Sequence, residues 1–427
     1  MISTLFISLL VLFVISVPIA VSLGLSSIIA LSLKGIPLIT LAQSVFESLD
    51  SFSLMAVPFF ILAGNLMQTG GISKRLINLA NVLVGWIKGG LGAVAVLTSM
   101  FFATLSGSSS ATTAAIGSTL IPAMEKKGYP RNFAAAVCAS SGELGVIIPP
   151  SISMIVYGLV ANVSIGSLFI AGFLPGLLIG LSLILLISIV ARIRGFDTVS
   201  SFQKSQWLKE LWIAFKDSFL ALLMPIIILG GIYAGWFTPT EASVVAVVYG
   251  FFIGTVVYRE IRMKDLMPIL IRSTLATSII MLIVAFASIF AYILTMEQVP
   301  HHVGKSIAEF SDSPVVFLIL VNLMLFITGM FMETLASIII IAPILAPVAI
   351  QFGIDPVHFG IIMVVNLAVG MVTPPVGVNL FVACQIANIR IDQLARPLVL
   401  FLGVLILDVF IISYVPILST WLPSLLQ

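Results

Sequence analysis

Two stretches of this sequence place a pair of prolines four residues after a glycine, and both lie inside long apolar segments. They run from Gly145 to Pro150 and from Gly370 to Pro375, and Pro-Pro occurs nowhere else in the chain. Successive prolines remove backbone donors and clash with the preceding turn, so a helix must open there. The freed carbonyls can bind a hard cation, and a helix that restarts after the prolines directs its positive end at an anion. A kink relieved by packing alone is the alternative.

A cluster of hydroxyl side chains interrupts the apolar segment 91–124. It comprises Ser106, Ser108, Ser109, Ser110, Thr112 and Thr113. The segment is too long and too polar at its centre for one simple span. We therefore predict a re-entrant hairpin whose tip, at 106–110, lines a buried or watery cavity that satisfies the freed backbone. A span that uses small residues for close helix packing is the alternative.

A second segment, 315–348, is predicted to form a matching hairpin because its place in the chain repeats that of the first. Its centre is less polar and holds Thr328, Gly329, Glu333, Thr334 and Ser337. Hydroxyl groups at each tip could complete the coordination of a cation at the adjacent proline break.

Three acidic residues, Glu143, Glu333 and Asp408, lie within apolar segments. An ionisable side chain in such a segment usually faces a cavity or a partner. Glu333, near the second tip, is the first candidate for cation or substrate binding, with a structural role as the alternative, and Glu143 is the second candidate. Asp408 is interpreted as a locally satisfied or protonated carboxyl. Asn366 and Asn379 flank the second break and could add ligands.

Enzymatic chemistry has little support. An intramembrane hydrolase could use a serine of 106–110 as its nucleophile, but it needs an embedded base. His301, His302 and His358 fall in predicted loops or at the edges of spans. No Walker-type phosphate loop is present, which argues against direct use of ATP. Cys138 and Cys384 are interpreted as buried hydrophobic residues. We predict that the protein is not an enzyme.

Composition identifies the class of protein that carries these motifs. Of 427 residues, 60% are hydrophobic and 8% are charged, with a mean hydropathy of +1.25, whereas about a quarter of the residues of soluble domains are charged. Apolar stretches long enough to cross a bilayer recur from 2–33 to 397–421. We predict an all-α polytopic membrane protein whose first stretch is a retained helix. The net charge of +2 does not indicate a nucleic-acid partner.

The two sets of motifs form an internal repeat, because the glycine and proline elements recur at an offset of 225 residues. Loop charges indicate its orientation. Lys126 and Lys127 follow the first hairpin, whereas 351–358, after the second, contains no Lys or Arg. Short cytoplasmic loops accumulate basic residues, so we predict inverted repeats with a cytoplasmic N-terminus and a periplasmic C-terminus. Secondary transporters typically bind their substrates at the interface of such repeats.

The repeats divide the chain into five predicted parts. Residues 1–75 and 219–300 form scaffold helices, and residues 191–218 form an amphipathic arm at the membrane interface. The first transport-domain repeat, 76–190, holds the hairpin 91–124 and a broken helix at 133–160. The second, 301–427, holds the hairpin 315–348 and a broken helix at 359–387.

Four strings carry a resemblance to a known family. They are Ser-Gly-Glu-Leu-Gly-Val-Ile-Ile-Pro-Pro-Ser-Ile at 141–152, Gly-Met-Val-Thr-Pro-Pro-Val-Gly-Val-Asn-Leu-Phe-Val at 370–382, Pro-Phe-Phe-Ile-Leu-Ala-Gly at 58–64 and Ser-Gly-Ser-Ser-Ser-Ala at 106–111. Over essentially its whole length the sequence resembles the large membrane subunit, of DctM type, of tripartite ATP-independent periplasmic (TRAP) transporters.

This resemblance implies a bacterial inner-membrane symporter that uses a sodium gradient to import a small organic anion from a periplasmic binding protein. It also implies a partner membrane subunit of Q type with about four helices. As in the resembled family, a transport domain bearing both hairpins would move like an elevator against a fixed scaffold. A single-component sodium and organic-anion symporter, without a binding protein, is the alternative.

The resemblance also implies a set of site residues. The sodium ligands would come from Ser106, Ser108, Ser109, Gly145 and Pro149, and from Thr328, Gly329, Gly370, Thr373 and Pro374. The substrate would lie between the tips, near Ser108, Thr112, Glu333 and Asn379.

One position departs from part of this family. Sialic acid transporters that this sequence resembles carry a basic residue near the position of Met296, before Glu297. Its absence weakens an assignment to sialic acid without excluding it, and leaves C4-dicarboxylates and other small carboxylates open.

Overall fold

The computed structural model describes residues 1–37, 39–196, 204–310 and 312–426, and every regular element in these ranges is a helix. The first half contains α1 (Ile2–Val14), α2 (Ile19–Leu33), α3 (Ile39–Leu49), a 3-10 turn (Ser53–Met55), α4 (Ala56–Thr69), α5 (Ile72–Val84), α6 (Gly90–Ser106), α7 (Ser109–Lys126), α8 (Arg131–Gly142), α9 (Leu144–Ile147), α10 (Ile152–Val160), α11 (Ile165–Ala171) and α12 (Phe173–Arg194).

The second half contains α13 (Lys204–Tyr233), α14 (Pro239–Phe252) with a π-helical end (Ile253–Val257), α15 (Met263–Met296), α16 (Val299–Phe310), α17 (Pro314–Phe331), α18 (Thr334–Gln351), α19 (Pro356–Gly370), α20 (Val378–Ala387), α21 (Ile391–Tyr414) and α22 (Ile417–Leu426). The all-α prediction is confirmed.

Many of these helices match the dimensions of a bilayer. In the described part of the chain, seven helices are long and apolar enough to cross a membrane, and two bent helix pairs raise this number to as many as nine. Their outward surfaces are apolar: Leu185 and Ile193 on α12 are exposed, as is Val248 on α14. Such a surface suits a hydrocarbon solvent. The prediction of a polytopic membrane protein is confirmed.

The helices that were predicted to form the scaffold pack mainly on one another. α4 lies along α14, and α15 lies along α2, α3 and α4. Asn65 Nδ2 on α4 donates a hydrogen bond to Ser273 Oγ on α15 at 2.8 Å, and Lys34 forms an ion pair with Glu297 at the other end of α15. The hydrogen bond from Lys34 holds the pKa of the Glu297 carboxyl below its usual range. The division into a scaffold of 1–75 with 219–300 stays a prediction.

The predicted arm at 191–218 has no helix boundary at its C-terminal end. α13 continues without interruption from Lys204 to Tyr233, so the amphipathic stretch and the following apolar span form one helix. No glycine or proline lies between 204 and 224 to end the helix earlier. Ser218 Oγ also donates a 2.9 Å hydrogen bond to the Arg75 carbonyl, which links this helix to α5. Residues 197–203 of the predicted arm lie outside the described residues.

The first predicted hairpin is a close pair of helices. α6 and α7 pack along each other and are joined only by Gly107 and Ser108. Gly107 takes a left-handed conformation (φ +58°) that favours glycine. Ser108 caps α7, because its side chain accepts a hydrogen bond from the backbone N–H of Ala111. The hairpin spans 90–126, close to the predicted 91–124.

The second predicted hairpin has a more open arrangement. α17 and α18 are joined by Met332 and Glu333, but α17 packs mainly against α19, and α18 lies against α10, α15, α16 and α19. The Glu333 carboxylate caps α18 by accepting a hydrogen bond from the backbone N–H of Leu335 at 3.2 Å. The hairpin spans 314–351, and the predicted range was 315–348.

Both helices with a Pro-Pro pair break where the sequence predicted. In the first repeat α9 ends at Ile147 and α10 starts at Ile152, with a 44° bend between the two parts. In the second repeat α19 ends at Gly370 and α20 starts at Val378. The Pro149-Pro150 and Pro374-Pro375 peptide bonds are both cis. The broken helices therefore span 131–160 and 356–387, close to the predicted 133–160 and 359–387.

Candidate functional site

The tip of the first hairpin lies directly on the first broken helix. A Cβ atom at Gly145 would lie 2.4 Å from both the Ser108 carbonyl oxygen and Thr112 Oγ1. Thr112 Oγ1 donates to the Ser108 carbonyl at 2.8 Å and lies 2.7 Å from Ser106 Oγ. The structure thus brings together four of the predicted site residues of this repeat, and two of their oxygen atoms lie against the backbone of Gly145.

The proline break and Ser109 complete the surroundings of this tip. A Cβ atom at Gly107 would lie 3.2 Å from the Pro150 carbonyl oxygen, so the break that contains Pro149 adjoins the tip turn. Ser109 lies on another side of α7, where its Oγ contacts the sulfur of Met371, 3.8 Å away, in the second break. Ser109 therefore connects the tip of one repeat with the break of the other.

The second hairpin tip contacts its own broken helix in an equivalent way. A Cβ atom at Gly370 would lie 2.6 Å from Gly329 Cα, so the two backbones touch. The backbone N–H of Gly377, after Pro374, donates to the Met330 carbonyl at 3.0 Å. The hydroxyls of Thr328 and Thr373 donate back into their own helices, to the carbonyls of Met324 at 2.8 Å and Val369 at 2.9 Å.

A cavity of about 350 Å³ lies where both tips face the scaffold. Its polar lining comes from the first tip, α4, α10 and the second tip, and comprises Ser106, Ser108, Ser110, Asn65, Gln68, Ser153 and Glu333. Four residues of α15 line the apolar side: Ala276, Ile279, Ile280 and Ile283.

Not all of the predicted substrate residues reach this cavity. Ser108 and Glu333 line it, whereas Thr112 lies beneath the tip and Asn379 is buried elsewhere. Asn379 Nδ2 donates to Glu143 Oε1 at 2.7 Å, so this side chain joins the two broken helices. Sequence reasoning missed Asn65 and Gln68. The sequence does contain a signal that could have identified them: two amide side chains three residues apart lie on one face of an apolar helix.

Helix ends and one carboxyl group determine the electrostatic character of the cavity. Among the described residues that line the cavity, Glu333 is the one ionisable side chain, and none is Lys, Arg or His. Three helices begin at its wall: α7 after Ser108, α10 at Ile152 and α18 after Glu333. The first turn of a helix carries free N–H groups and a partial positive charge. These helix ends favour a small anion, whereas an ionised Glu333 would oppose one unless a cation lay beside it.

Comparison with known proteins agrees with this architecture. Residues 6–418 match the family described as tripartite ATP-independent periplasmic transporter, DctM component. This chain belongs to that family. Two similar relatives are C4-dicarboxylate TRAP transporter large permease proteins DctM. The one from Pseudomonas aeruginosa is 45% identical over 408 residues, which cover 94% of each chain. The one from Vibrio cholerae is 44% identical over an alignment of 448 positions, which covers 100% of this chain and 98% of that protein.

A solved structure with a similar fold is the YdaH transporter of Alcanivorax borkumensis, described as having an unusual topology. The TM-score is 0.64 at 16% sequence identity, and the match covers 90% of this chain and 87% of that chain. This match supports the fold of the DctM-family chain. The relatives within the family are named as transporter permeases, which agrees with the prediction of a transport role rather than an enzymatic one.

Proposed function

We propose that this DctM-family chain is the large membrane subunit of a sodium-coupled importer of a small organic acid, with a C4-dicarboxylate as the first candidate. The observation that carries this proposal is the cavity at which the two hairpin tips meet the scaffold. Two relatives that are 45% and 44% identical over nearly the whole chain are named for C4-dicarboxylate transport, which supports this substrate class.

The proposed sodium sites are the two contacts between a tip and a break. In the first repeat Ser106, Ser108 and Ser109 would act with the opened backbone of Gly145 and Pro149. In the second repeat Thr328 and Gly329 would act with Gly370, Thr373 and Pro374. The close approach of Gly145 to Ser108 and of Gly370 to Gly329 supports both groupings. Unwound carbonyls and hydroxyls are the oxygen ligands that transporters offer to sodium.

The proposed motion is an elevator-like sliding of the hairpins and broken helices along the scaffold. One face of α15 supports this motion, because two cavities follow it in succession. Ala276 and Ile283 line the central cavity. A second cavity of about 360 Å³ lies beside Val284, Ala287 and Ala291. This face of α15 carries small and aliphatic side chains apart from Ser288, whose hydroxyl already donates within the scaffold to the carbonyls of Ser44 and Ala285.

The proposed setting is the bacterial inner membrane, with the N-terminus in the cytoplasm and the C-terminus in the periplasm. The family is tripartite, so we place this chain with a small Q-type membrane subunit of about four helices and a periplasmic binding protein that delivers the acid. Cations at both tips would offset the charge of the substrate, so the loaded carrier would move readily and the half-loaded carrier would not.

Uptake into proteoliposomes tests this function. The complex of both membrane subunits is reconstituted, and labelled succinate or sialic acid is supplied on the cognate binding protein. We expect succinate uptake to need both an inward sodium gradient and the binding protein, and to stop when choline replaces sodium. Uptake that is indifferent to sodium and to the binding protein would contradict the proposal. Uptake that needs sodium but not the binding protein would favour a single-component symporter.

A charge-neutral variant of Glu333 tests its role at the second tip. Glu333→Gln removes the negative charge but keeps an oxygen that can accept the hydrogen bond from Leu335. We expect the sodium concentration for half-maximal uptake to rise about tenfold, which corresponds to about 1.4 kcal/mol of lost binding.

The matched control for Glu333→Gln is Asp355→Asn, the same kind of change at a different helix start. Asp355 caps α19 by accepting from the backbone N–H groups of Val357 and His358, both at 2.9 Å, and does not line the cavity. We expect Asp355→Asn to leave the sodium dependence unchanged. An equally unchanged sodium dependence in Glu333→Gln would exclude a role of Glu333 in cation binding.

A further inference from the structure

Each repeat contains a buried polar pair that joins its hairpin to its broken helix. In the first repeat Ser99 Oγ on α6 donates a hydrogen bond to Ser141 Oγ on α8 at 3.1 Å. In the second repeat Asn366 Nδ2 on α19 donates to Asn322 Oδ1 on α17 at 2.9 Å. All four side chains are buried, and none lines the cavity between the tips and the scaffold. We call these the serine pair and the asparagine pair.

On the broken helices the two pairs occupy equivalent positions. Ser141 precedes Gly145 by four residues, and Asn366 precedes Gly370 by four. The backbone stays helical through Glu143, between α8 and α9 (φ −55°, ψ −34°). Residues four apart lie one above the other on the same face of a helix. Each pair therefore lies one turn from the glycine at which a tip contacts its break.

On the hairpin helices the spacing to the tips is also shared. Ser99 precedes Ser106 by seven residues, and Asn322 precedes Gly329 by seven. Seven residues make about two helical turns, so both members of each set lie on one face of their helix. At the second tip, a Cβ atom at Gly329 would lie 2.7 Å from the Leu367 carbonyl oxygen on α19. The asparagine pair and the second tip contact therefore lie in the same interface, between α17 and α19.

The asparagine pair is also part of a larger buried network. Asn322 Nδ2 donates to Ser413 Oγ on α21 at 3.0 Å. The Ser413 carbonyl lies 3.2 Å from Nε2 of His358, at the start of α19, and His358 Nδ1 lies 2.6 Å from Ser419 Oγ on α22. The network thus connects α17 with three other helices, and a shift of α17 along α19 would disrupt it.

Buried polar pairs are well suited to fixing the register of two helices. Apolar side chains can exchange one neighbour for another, whereas an amide that loses its partner stays unsatisfied in a buried site. A single buried asparagine specifies the register of coiled coils in this way. The second tip needs such a device, because α17 packs mainly against α19 and only sparsely against its own hairpin partner α18.

We propose that the asparagine pair and the serine pair position each hairpin tip on its broken helix and thereby set the spacing of the proposed sodium ligands. The four residues are positioning residues, which act through the contacts at Gly145 and Gly370 and not on the ion. This inference rests on the proposed sodium-coupled function.

The test uses apolar variants of the asparagine pair in the reconstituted complex. Leucine is close to asparagine in size, so Asn366→Leu removes the hydrogen bond with little change in volume. We expect this variant to melt at a lower temperature. We also expect the sodium concentration for half-maximal succinate uptake to rise about tenfold, which corresponds to about 1.4 kcal/mol.

The double variant Asn322→Leu/Asn366→Leu separates positioning from stability. Replacing both partners of a buried hydrogen bond by apolar groups of similar shape can be nearly neutral for stability. We therefore expect the melting temperature of the double variant to recover most of its loss. The raised sodium requirement should persist, because two leucines do not specify the register of α17.

Hydrogen–deuterium exchange in choline reports the position of the tip without sodium. The backbone N–H of Gly377, after the second break, donates to the Met330 carbonyl at the second tip at 3.0 Å, so its exchange rate depends on this contact. We expect faster exchange of peptides that contain Gly377 in both asparagine variants. Peptides from α4 and α14 should exchange as in the wild type.

Tyr157→Phe is the matched control. The Tyr157 hydroxyl donates to the Pro356 carbonyl at the start of α19 at 2.9 Å. The change therefore also removes a buried hydrogen bond to α19, but one outside the network. We expect the sodium dependence of uptake and the exchange at Gly377 to match those of the wild type.

Ser99→Ala tests the serine pair with a smaller change. Ser141 Oγ can still donate to the Cys138 carbonyl at 3.4 Å, so no donor is left buried without a partner. We expect a rise in the sodium requirement that is smaller than that of the asparagine variants, with exchange at Gly377 unchanged.

Three results would overturn the positioning role. One is a normal sodium requirement together with normal exchange at Gly377 in Asn366→Leu. Another is a double variant in which both recover along with the melting temperature, since the pair would then serve stability alone. The third is an equal effect of Tyr157→Phe. If the wild-type complex ignores sodium, the proposed function fails, and the exchange at Gly377 still decides whether the asparagine pair positions the tip.

Discussion

Replacing Gly370 with alanine is expected to reduce uptake by at least about tenfold. The added Cβ would lie 2.6 Å from Gly329 Cα and 2.7 Å from its carbonyl carbon, so two backbones would have to separate. Overpacking of this kind costs about 1–3 kcal/mol, and a tenfold effect needs about 1.4 kcal/mol. The strain acts on the contact that joins the second tip to the second break. Uptake in proteoliposomes at saturating sodium, corrected for the amount of inserted protein, measures the loss.

The control for this change is Gly403→Ala on α21, where the new Cβ meets no atom within 4 Å. Alanine is favoured over glycine in a helix interior by about 1 kcal/mol, so Gly403→Ala should transport normally and melt at the same temperature or higher. Gly145→Ala, the equivalent change in the first repeat, should resemble Gly370→Ala, because its Cβ would lie 2.4 Å from the Ser108 carbonyl. Normal uptake in both tip-contact variants would contradict the role of these contacts.

Filling the central cavity from the scaffold side should also reduce uptake strongly. Ala276 lines the cavity from α15, and an indole in its place would occupy space in a volume of about 350 Å³. We expect Ala276→Trp to reduce succinate uptake by more than about tenfold, since exclusion of the ligand would remove well over 1.4 kcal/mol of binding. The residue belongs to neither tip, so the proposed sodium ligands stay intact. Succinate uptake and succinate-dependent melting are the measurements.

Leu275→Trp provides the matched control, because the neighbouring side chain is 61% exposed on the outer side of the same helix. It adds an indole without filling the cavity, and we expect uptake close to that of the wild type. If Ala276→Trp also transported normally, the cavity between the tips and the scaffold would not be the substrate site.

Local sequence chemistry predicted the elements that surround the site. The two glycine and Pro-Pro motifs located both breaks within a few residues, because successive prolines cannot continue the helical hydrogen bonds. The first hairpin was also predictable, since polar hydroxyl groups at mid-span require a buried turn or a cavity. The repeat then located the second hairpin, whose own composition is less distinctive.

The sequence did not predict which helices that are distant in the chain pack against one another. Asn379 was expected beside the substrate, but the packing of α20 against α7 and α8 buries it against Glu143. The contribution of Asn65 and Gln68 depends on how α4 lies against the first tip, which no local pattern specifies. The continuous α13 arises because a polar interfacial stretch and an apolar span can share one helix when no glycine or proline separates them.

Ligand protection of a cysteine in the cavity tests the central claim most directly. Ser110 lines the cavity, and Ser110→Cys can be labelled with a maleimide after alanine replaces the natural Cys138 and Cys384. The measurement is the labelling rate in the reconstituted complex, with succinate supplied on its binding protein, in sodium and in choline. We predict that succinate with sodium slows labelling several-fold and that either one alone protects less. An unchanged labelling rate in a complex that still transports succinate would contradict the assignment of this cavity as the substrate site.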